Sequence, residues 1–316
     1  MKKIIILLAL LPLMGFSQNL FNKGSKEAEK DPTELNITEN VQGTLWLPEG
    51  VSNLPLVIML TGSGPNDRDG NSVMTKNDSH KQLALALKKE GIATYRYDKR
   101  VVTQMKKKKV DPNTSFDDFI TDAHDIVAYF EKDKRFSKIY IAGHSQGSLV
   151  GMLAVNKNID GFISLAGAGE VIDNVIVSQI AAQSPGLDTI ARTTFDKMRA
   201  QEEIVEDVNP YLMQLQGPQM QPFMESWMAY DPAIEIAKLK TPVLIINGDR
   251  DFQVSIEQAK MLHAAAPSSQ LEIIEGLNHV LKKVGSDDIE AAKSYTDVNF
   301  PIHPVLIEKM VAFIKE

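Results

Sequence analysis

The sequence predicts an α/β fold, with a mostly parallel central sheet, helices on both faces and a helical cap insertion. Three observations carry this. Short apolar runs alternate with helix-periodic segments along most of the chain, the pattern of strand–helix–strand units. Runs such as LVIML and VLIIN are apolar without alternation, as strands buried on both faces must be. One stretch, residues 170–232, breaks the alternation with helical segments alone and a surplus of Met and Gln.

The elements follow in order. LPLVIML (54–60) is a strand that ends in the turn TGSGPNDRDGN. HKQLALALKKEG (80–91) is helical, with Gly91 as its stop, and IATYRYD (92–98) is the next strand. SFDDFITDAHDIVAYFEKD opens on Ser115 with an acid three residues later, a variant of the capping box. Phe116, Phe119, Ile120, Ala123, Val127 and Phe130 then share one helical face. KIYIAG (138–143) is a strand, QGSLVGMLAVN (146–156) a helix and GFISLAG (161–167) a strand. Beyond the insertion, TPVLIING (241–248), SIEQAKMLHAA (255–265) and LEIIEG (271–276) read as strand, helix and strand. Pro304, at a first helical position after His303, opens a closing helix with Leu306, Met310, Phe313 and Ile314 inward. The core is expected in two pieces, 41–169 and 233–316, with the cap between them.

The first 18 residues have the layout of a secretory signal peptide. Lys2 and Lys3 precede an apolar run, and Gly15 and Ser17 follow it. The run is eleven residues long and contains Pro12, whereas a spanning helix needs about 18 or more. Export to the periplasm or the medium is therefore expected, without stable membrane insertion. Residues 19–40 are polar and read as a weakly ordered arm. The whole chain carries 34 basic and 41 acidic residues; without the two leader lysines 32 basic residues remain, a net charge of -9. Such a surface repels phosphate backbones, which argues against a nucleic-acid partner. The chain has no cysteine, excluding disulfides, thiolate metal sites and a Cys nucleophile. The residues do not reveal the oligomeric state.

IYIAGHSQGSLVG (139–151) places Ser145 between an apolar strand and a helix, the setting of a nucleophile elbow. Gly143 and Gly147 suit a serine at strained backbone angles, which leaves no room for flanking side chains, and Gly151 suits close packing on the sheet. A serine hydroxyl needs a base within hydrogen-bond reach and a carboxylate to orient that base. TPVLIINGDRDFQV offers Asp249 and Asp251, and Asp251 leaves the chain more length to swing toward the site. His279, in EIIEGLNHVLKK, lies between the last strand and the closing helix and completes the order Ser, Asp, His. His144 is expected to point away from Ser145; His124 and His263 ride on helices, and His80 and His303 sit at helix starts. Two amides, those of Ser63 and Gln146, are expected to bind the oxyanion. Asp67 and Asp69 lack the glycine position and closing glutamate of a calcium loop, so no metal or other cofactor is called for.

Taken together, TGSGP (61–65), RYDKR (96–100), GHSQG (143–147), DPAIEIAKLKTPVLIINGDRDFQV (231–254) and GLNHVL (276–281) resemble the α/β-hydrolases. They are similar to the bacterial esterases of the serine aminopeptidase and lysophospholipase-like branch. The resemblance implies Ser145 as nucleophile, Asp251 as acid and His279 as base, with the Ser63 and Gln146 amides at the oxyanion. The G-x-x-D spacing after the strand supports Asp251 over Asp249. Thr61 stands where many relatives have histidine, and VVTQMKKKKVDPNTS replaces a short glycine-containing loop. Its lysines (Lys106, Lys107, Lys108 and Lys109) read as a solvated loop tip, or as an attractor of anions.

The expected activity is hydrolysis of a small carboxylic ester, short to medium in its acyl part, through an acyl-enzyme. A peptide amide or thioester would use the same triad, and a non-catalytic binding protein on the scaffold is a further alternative. Met213, Met220, Met224, Trp227 and Met228 suit an adaptable apolar wall for the acyl group, or equally the insertion's own core.

Overall fold

Strands that are apolar at every position can be satisfied only by cover on both faces, and the sheet arrangement supplies it. The computed structural model describes residues 33–316 except 51 and 201–203. The expected leader, residues 1–18, lies outside the described residues. Among the described residues there are eight strands: β1 (Thr33–Asn36), β2 (Gln42–Trp46), β3 (Leu54–Leu60), β4 (Ala93–Asp98), β5 (Phe136–His144), β6 (Gly161–Leu165), β7 (Val243–Gly248) and β8 (Gln270–Ile274). They pair in the order β1-β2-β4-β3-β5-β6-β7-β8, parallel from β4 to β8 and antiparallel at β1–β2 and β2–β4.

The period of two along each strand sorts its side chains between two cores. Leu56, Ile58 and Leu60 of β3, Ile139 and Ile141 of β5, and Val243 and Ile245 of β7 face one core. It is closed by α3 (Phe116–Phe130), α4 (Gln146–Ala154) and α10 (Ile256–Ala265), placed along the chain after α1 (Ser79–Lys89) and α2 (Arg100–Lys106). Val57, Met59, Tyr140, Ala142, Leu244 and Ile246 face the other core, where Leu83 and Leu87 of α1 pack. The closing helix α12 (Pro304–Lys315) adds Leu306, Met310 and Phe313 there, after the short α11 (Asp288–Lys293). Several helix ends match the residues that announced them. Asp118 accepts from the Ser115 amide at the start of α3, Gly91 follows α1 at φ 80°, and Pro304 is the first residue of α12.

The inserted segment contains helices and no strand among its described residues: α5 (Ile172–Gln183), α6 (Leu187–Ala200), α7 (Met213–Gln216) and α8 (Gln221–Met228), with α9 (Pro232–Ala237) returning the chain to the sheet. Aromatic contacts fasten it to α3. Trp227 stacks on Phe116 with ring centroids 5.5 Å apart, and Phe223 meets Phe119 at 5.8 Å.

Three local expectations need correction. Residues 33–36, expected within a weakly ordered arm, are an edge strand. TELN carries no apolar alternation because it is mostly exposed; backbone pairing to β2 and the Glu34–Arg68 ion pair hold it. The segment after RYDKR begins with a helix, α2, where a loop was expected. Two of its lysines are also engaged: Lys106 Nζ lies 2.6 Å from Asp98, and Lys107 donates to the Glu39 carbonyl at 2.8 Å. No described helix is long and apolar enough to cross a membrane.

Candidate active site

Connections leave β3 toward β4 on one side and return to β5 on the other, so the order in which the strands are connected reverses between the parallel β3 and β5. In open α/β sheets, the crevice beyond the carboxyl ends of such strands is where ligands bind. Leu60 of β3 pairs beside Gly143 of β5, so the turn after β3 and the turn after β5 are neighbours. The first carries Ser63, the second Ser145.

Ser145 has φ 53° and ψ -120°, values that a non-glycine residue adopts only when its surroundings hold it there. Its neighbours explain the glycines. A Cβ on Gly143 would stand 2.2 Å from the Gly147 carbonyl oxygen, and one on Gly147 would stand 2.4 Å from that of Leu60. A Cβ on Gly151 would meet the Phe162 ring at 2.8 Å, so the helix lies hard against the sheet. The strained turn is thus wedged between β3 and α4, and larger residues would push it out of place.

Asp251 and His279 come together as the sequence order requires. His279 Nδ1 lies 2.8 Å from Asp251 Oδ2, and both side chains are buried. Asp251 Oδ1 accepts from the amides of Gln253 and Val254 at 2.8 and 2.9 Å, which fixes the carboxylate from its other side. Asp249 does something else: its carboxylate accepts from the Gly276 amide at 2.7 Å and braces the turn after β8. Asp67 is likewise occupied, accepting from the amides of Asp69 and Asn71.

Ser145 makes no hydrogen bond to His279 among the described residues; His144 joins the two halves of the site. Its Nε2 donates to the His279 carbonyl at 2.7 Å, and the two rings lie 4.9 Å apart. Burial, followed by the nearby His279 and His80, holds His144 well below its ordinary value, so it is neutral. Burial likewise pushes His80, whose ring meets that of His144 edge-on, down to about 3. The sequence sets His144 aside as a base because it should point away from Ser145; what that reading misses is that its ring anchors the loop that carries His279. Its position as the last residue of a buried strand was the available signal.

A cavity opens over this corner. Ser63, Ser145 and Gln146 line it together with the apolar Leu149, Ile172, Val175, Ile176 and Trp227 and the polar Glu170 and Gln179. The amides of Ser63 and Gln146 have no acceptor among the described residues. Gln146 is the first residue of α4, where the peptide dipoles favour an anion. Trp227 lines the cavity. Met224 and Met228 do not: both are buried within the core beneath, and Met213 is exposed. An apolar side chain at helical spacing serves a core as readily as a pocket, and the sequence could not separate the two.

Sequence reasoning also missed what RYDKR does. Arg96 pairs with Asp69 and covers the Trp46 ring at 4.2 Å, while Asp98 binds Arg68 and Lys106. Arg100 grips Asp122 with two bonds of 2.8 Å. These residues tie the TGSGPNDRDG turn to the end of β4 and to α3.

A family model described as serine aminopeptidase, S33, matches residues 77–283. The chain belongs to that family. Esterase EstD of Thermotoga maritima is 29% identical over 256 residues, which cover 78% of this chain and 60% of EstD. The chain thus spans about 60% of the length of this curated relative. Among solved structures, Est1E from Butyrivibrio proteoclasticus aligns with a TM-score of 0.56 at 20% identity, covering 87% of this chain and 95% of Est1E. An esterase of Pyrococcus furiosus aligns at 0.55 and 16% identity, covering 91% and 90% of the two chains. These structural likenesses establish the α/β-hydrolase fold.

Proposed function

We propose that the protein is a serine hydrolase that cleaves small carboxylic esters, short to medium in the acyl part, through Ser145, His279 and Asp251. The observation that carries this is the buried Asp251–His279 pair, joined through the His279 carbonyl to His144, the residue before a strained Ser145 that lines the cavity with two unpaired amides. The match to an esterase from Thermotoga maritima and membership of a hydrolase family support the same reading.

In this reading Ser145 Oγ attacks the ester carbonyl carbon as its proton passes to His279 Nε2. Asp251 holds Nδ1 and stabilises the imidazolium that forms. Charge gathers on the former carbonyl oxygen, opposite the Ser63 and Gln146 amides, each worth about 3 kcal/mol by analogy with removal of one such donor. The alcohol leaves with the proton from His279. Water then enters, gives its proton to the same nitrogen, attacks the acyl-enzyme and releases the acid. Contacts between nucleophile and base commonly tighten only once substrate is bound, in keeping with the unbonded Ser145. The apolar walls of α5 and α8 suit the acyl chain, with Trp227 as their largest surface. Export by the leader at residues 1–18 is part of the same proposal.

The test is turnover of p-nitrophenyl esters of increasing acyl length. The wild type should favour the short and middle members, and Ser145→Ala should lose activity on all of them while unfolding at the same denaturant concentration. Undiminished turnover by Ser145→Ala would remove the serine from the mechanism.

A further inference from the structure

The proposed acyl transfer leaves one buried cation without a role. Lys99, the fourth residue of RYDKR, is 4% exposed. The other charges of that motif are paired, Arg96 and Arg100 with carboxylates and Asp98 with Arg68 and Lys106, whereas no carboxylate comes within ion-pair distance of Lys99 among the described residues. Its Nζ donates instead to the Gly62 carbonyl at 2.9 Å and to the side-chain oxygen of Gln146, and it rests over the Phe119 ring at 4.3 Å. A buried ammonium without a counter-ion is costly, and such groups are concentrated at functional sites.

The two acceptors give the pattern meaning. Gly62 shares its peptide unit with the Ser63 amide, and Gln146 carries the second unpaired amide. In a trans peptide the C=O and N–H point in opposite directions, so a group that fixes the Gly62 carbonyl also fixes the aim of the Ser63 N–H. Asn66 helps from the same side, its Nδ2 donating to the Gly62 and Ser63 carbonyls at 3.0 and 2.7 Å. Hydrogen bonds in series also polarise one another, so a positive charge on the carbonyl makes the amide a stronger donor.

We propose that Lys99 is a positioning residue for the oxyanion site, holding the Gly62–Ser63 peptide and the Gln146 side chain so that both amides meet the charge developing on the substrate. This rests on the serine-hydrolase reading above. The counter-charge that Lys99 lacks is then the oxyanion itself, reached through one intervening peptide. Burial lowers the Lys99 ammonium to about 7, with Asp122 opposing. Of the elements around it, α3 presents Phe119 and Asp122, the latter already gripped by Arg100; β5 ends in the neutral His144; the turn and α4 present the uncharged Gly62, Asn66 and Gln146. The protonated form is the competent one, so kcat/KM falls as pH rises through this ionisation.

The experiment follows p-nitrophenyl acetate hydrolysis across pH. Lys99→Met should lower kcat about 10- to 100-fold and leave KM within about twofold, somewhat less than the loss of an oxyanion donor itself. The wild type should lose kcat/KM above a pH near 7. Lys99→Arg, which keeps its charge throughout, should retain most of kcat and abolish that loss. If Lys99→Met does not fold, the comparison of wild type with Lys99→Arg decides alone. An undiminished kcat in Lys99→Met, no alkaline loss in the wild type, or a loss that persists in Lys99→Arg would overturn the proposal. Ser145→Ala, assayed alongside, keeps the two readings apart. If it is inactive and Lys99→Met unimpaired, only the role of Lys99 fails; if it is active, the underlying mechanism fails.

Discussion

His144 donates to the carbonyl of His279 across 2.7 Å, so the residue preceding the proposed nucleophile grips the backbone of the proposed base. Removing that donor frees the His279 loop while leaving the proposed catalytic side chains chemically intact. His144→Ala is expected to cost about 1–3 kcal/mol of stability, because a buried carbonyl loses its partner. Its kcat should drop about tenfold with a smaller change in KM, since misplaced groups affect the reacting geometry more than binding. Denaturant titration and steady-state kinetics check both. Unchanged kcat would show that Asp251 alone suffices to hold the base.

The same two buried histidines set a pH dependence of stability. His80 and His144 are neutral in the fold because burial depresses both below the ordinary 6.5. Above that value neither state binds the protons, and stability is complete. As pH falls below it the unfolded chain takes up protons that the fold refuses, so stability declines. The slope is about 1.4 kcal/mol per pH unit for each histidine. Urea titrations between pH 6.5 and 5 should therefore show a falling midpoint, and His80→Asn should have about half the slope. A flat profile in the wild type would mean that both rings protonate inside the fold.

Asp249 and Asp251 stand two residues apart and should respond in opposite ways. Asp251→Asn keeps the shape of the side chain but removes the charge that holds His279, and is expected to lower kcat about 10⁴-fold. Asp249→Asn loosens only the brace to Gly276 and should leave kcat within a few-fold. Parallel rates for the two variants measure this, and a larger loss from Asp249→Asn would move the role of orienting acid to that residue.

Much of this is legible in the amino-acid sequence. Strands such as β3 and β7 advertise themselves because a strand buried on both faces must be apolar throughout; Ser145 and Asp251 each follow a largely buried strand, whereas His279 follows the half-exposed edge strand β8. The small residues around Ser145 were equally readable, since the elbow leaves Gly143 and Gly147 no space for a Cβ. Contacts made by polar side chains across long sequence separations were not. β1 was hidden because an exposed four-residue edge needs no apolar pattern. Lys99 and His144 were hidden because their partners, Gly62 and His279, act through carbonyl oxygens that every residue possesses. Met224 and Met228 could not be told from pocket residues, because burial under the cavity and exposure to it call for the same side chains.

The most direct measurement is labelling with a fluorophosphonate, followed by peptide mapping. A single adduct on Ser145 is expected, formed in step with the loss of esterase activity. It should be absent from Ser145→Ala and strongly slowed in His279→Ala. An adduct on another residue, or full inactivation with Ser145 unmodified, would contradict the assignment of the nucleophile.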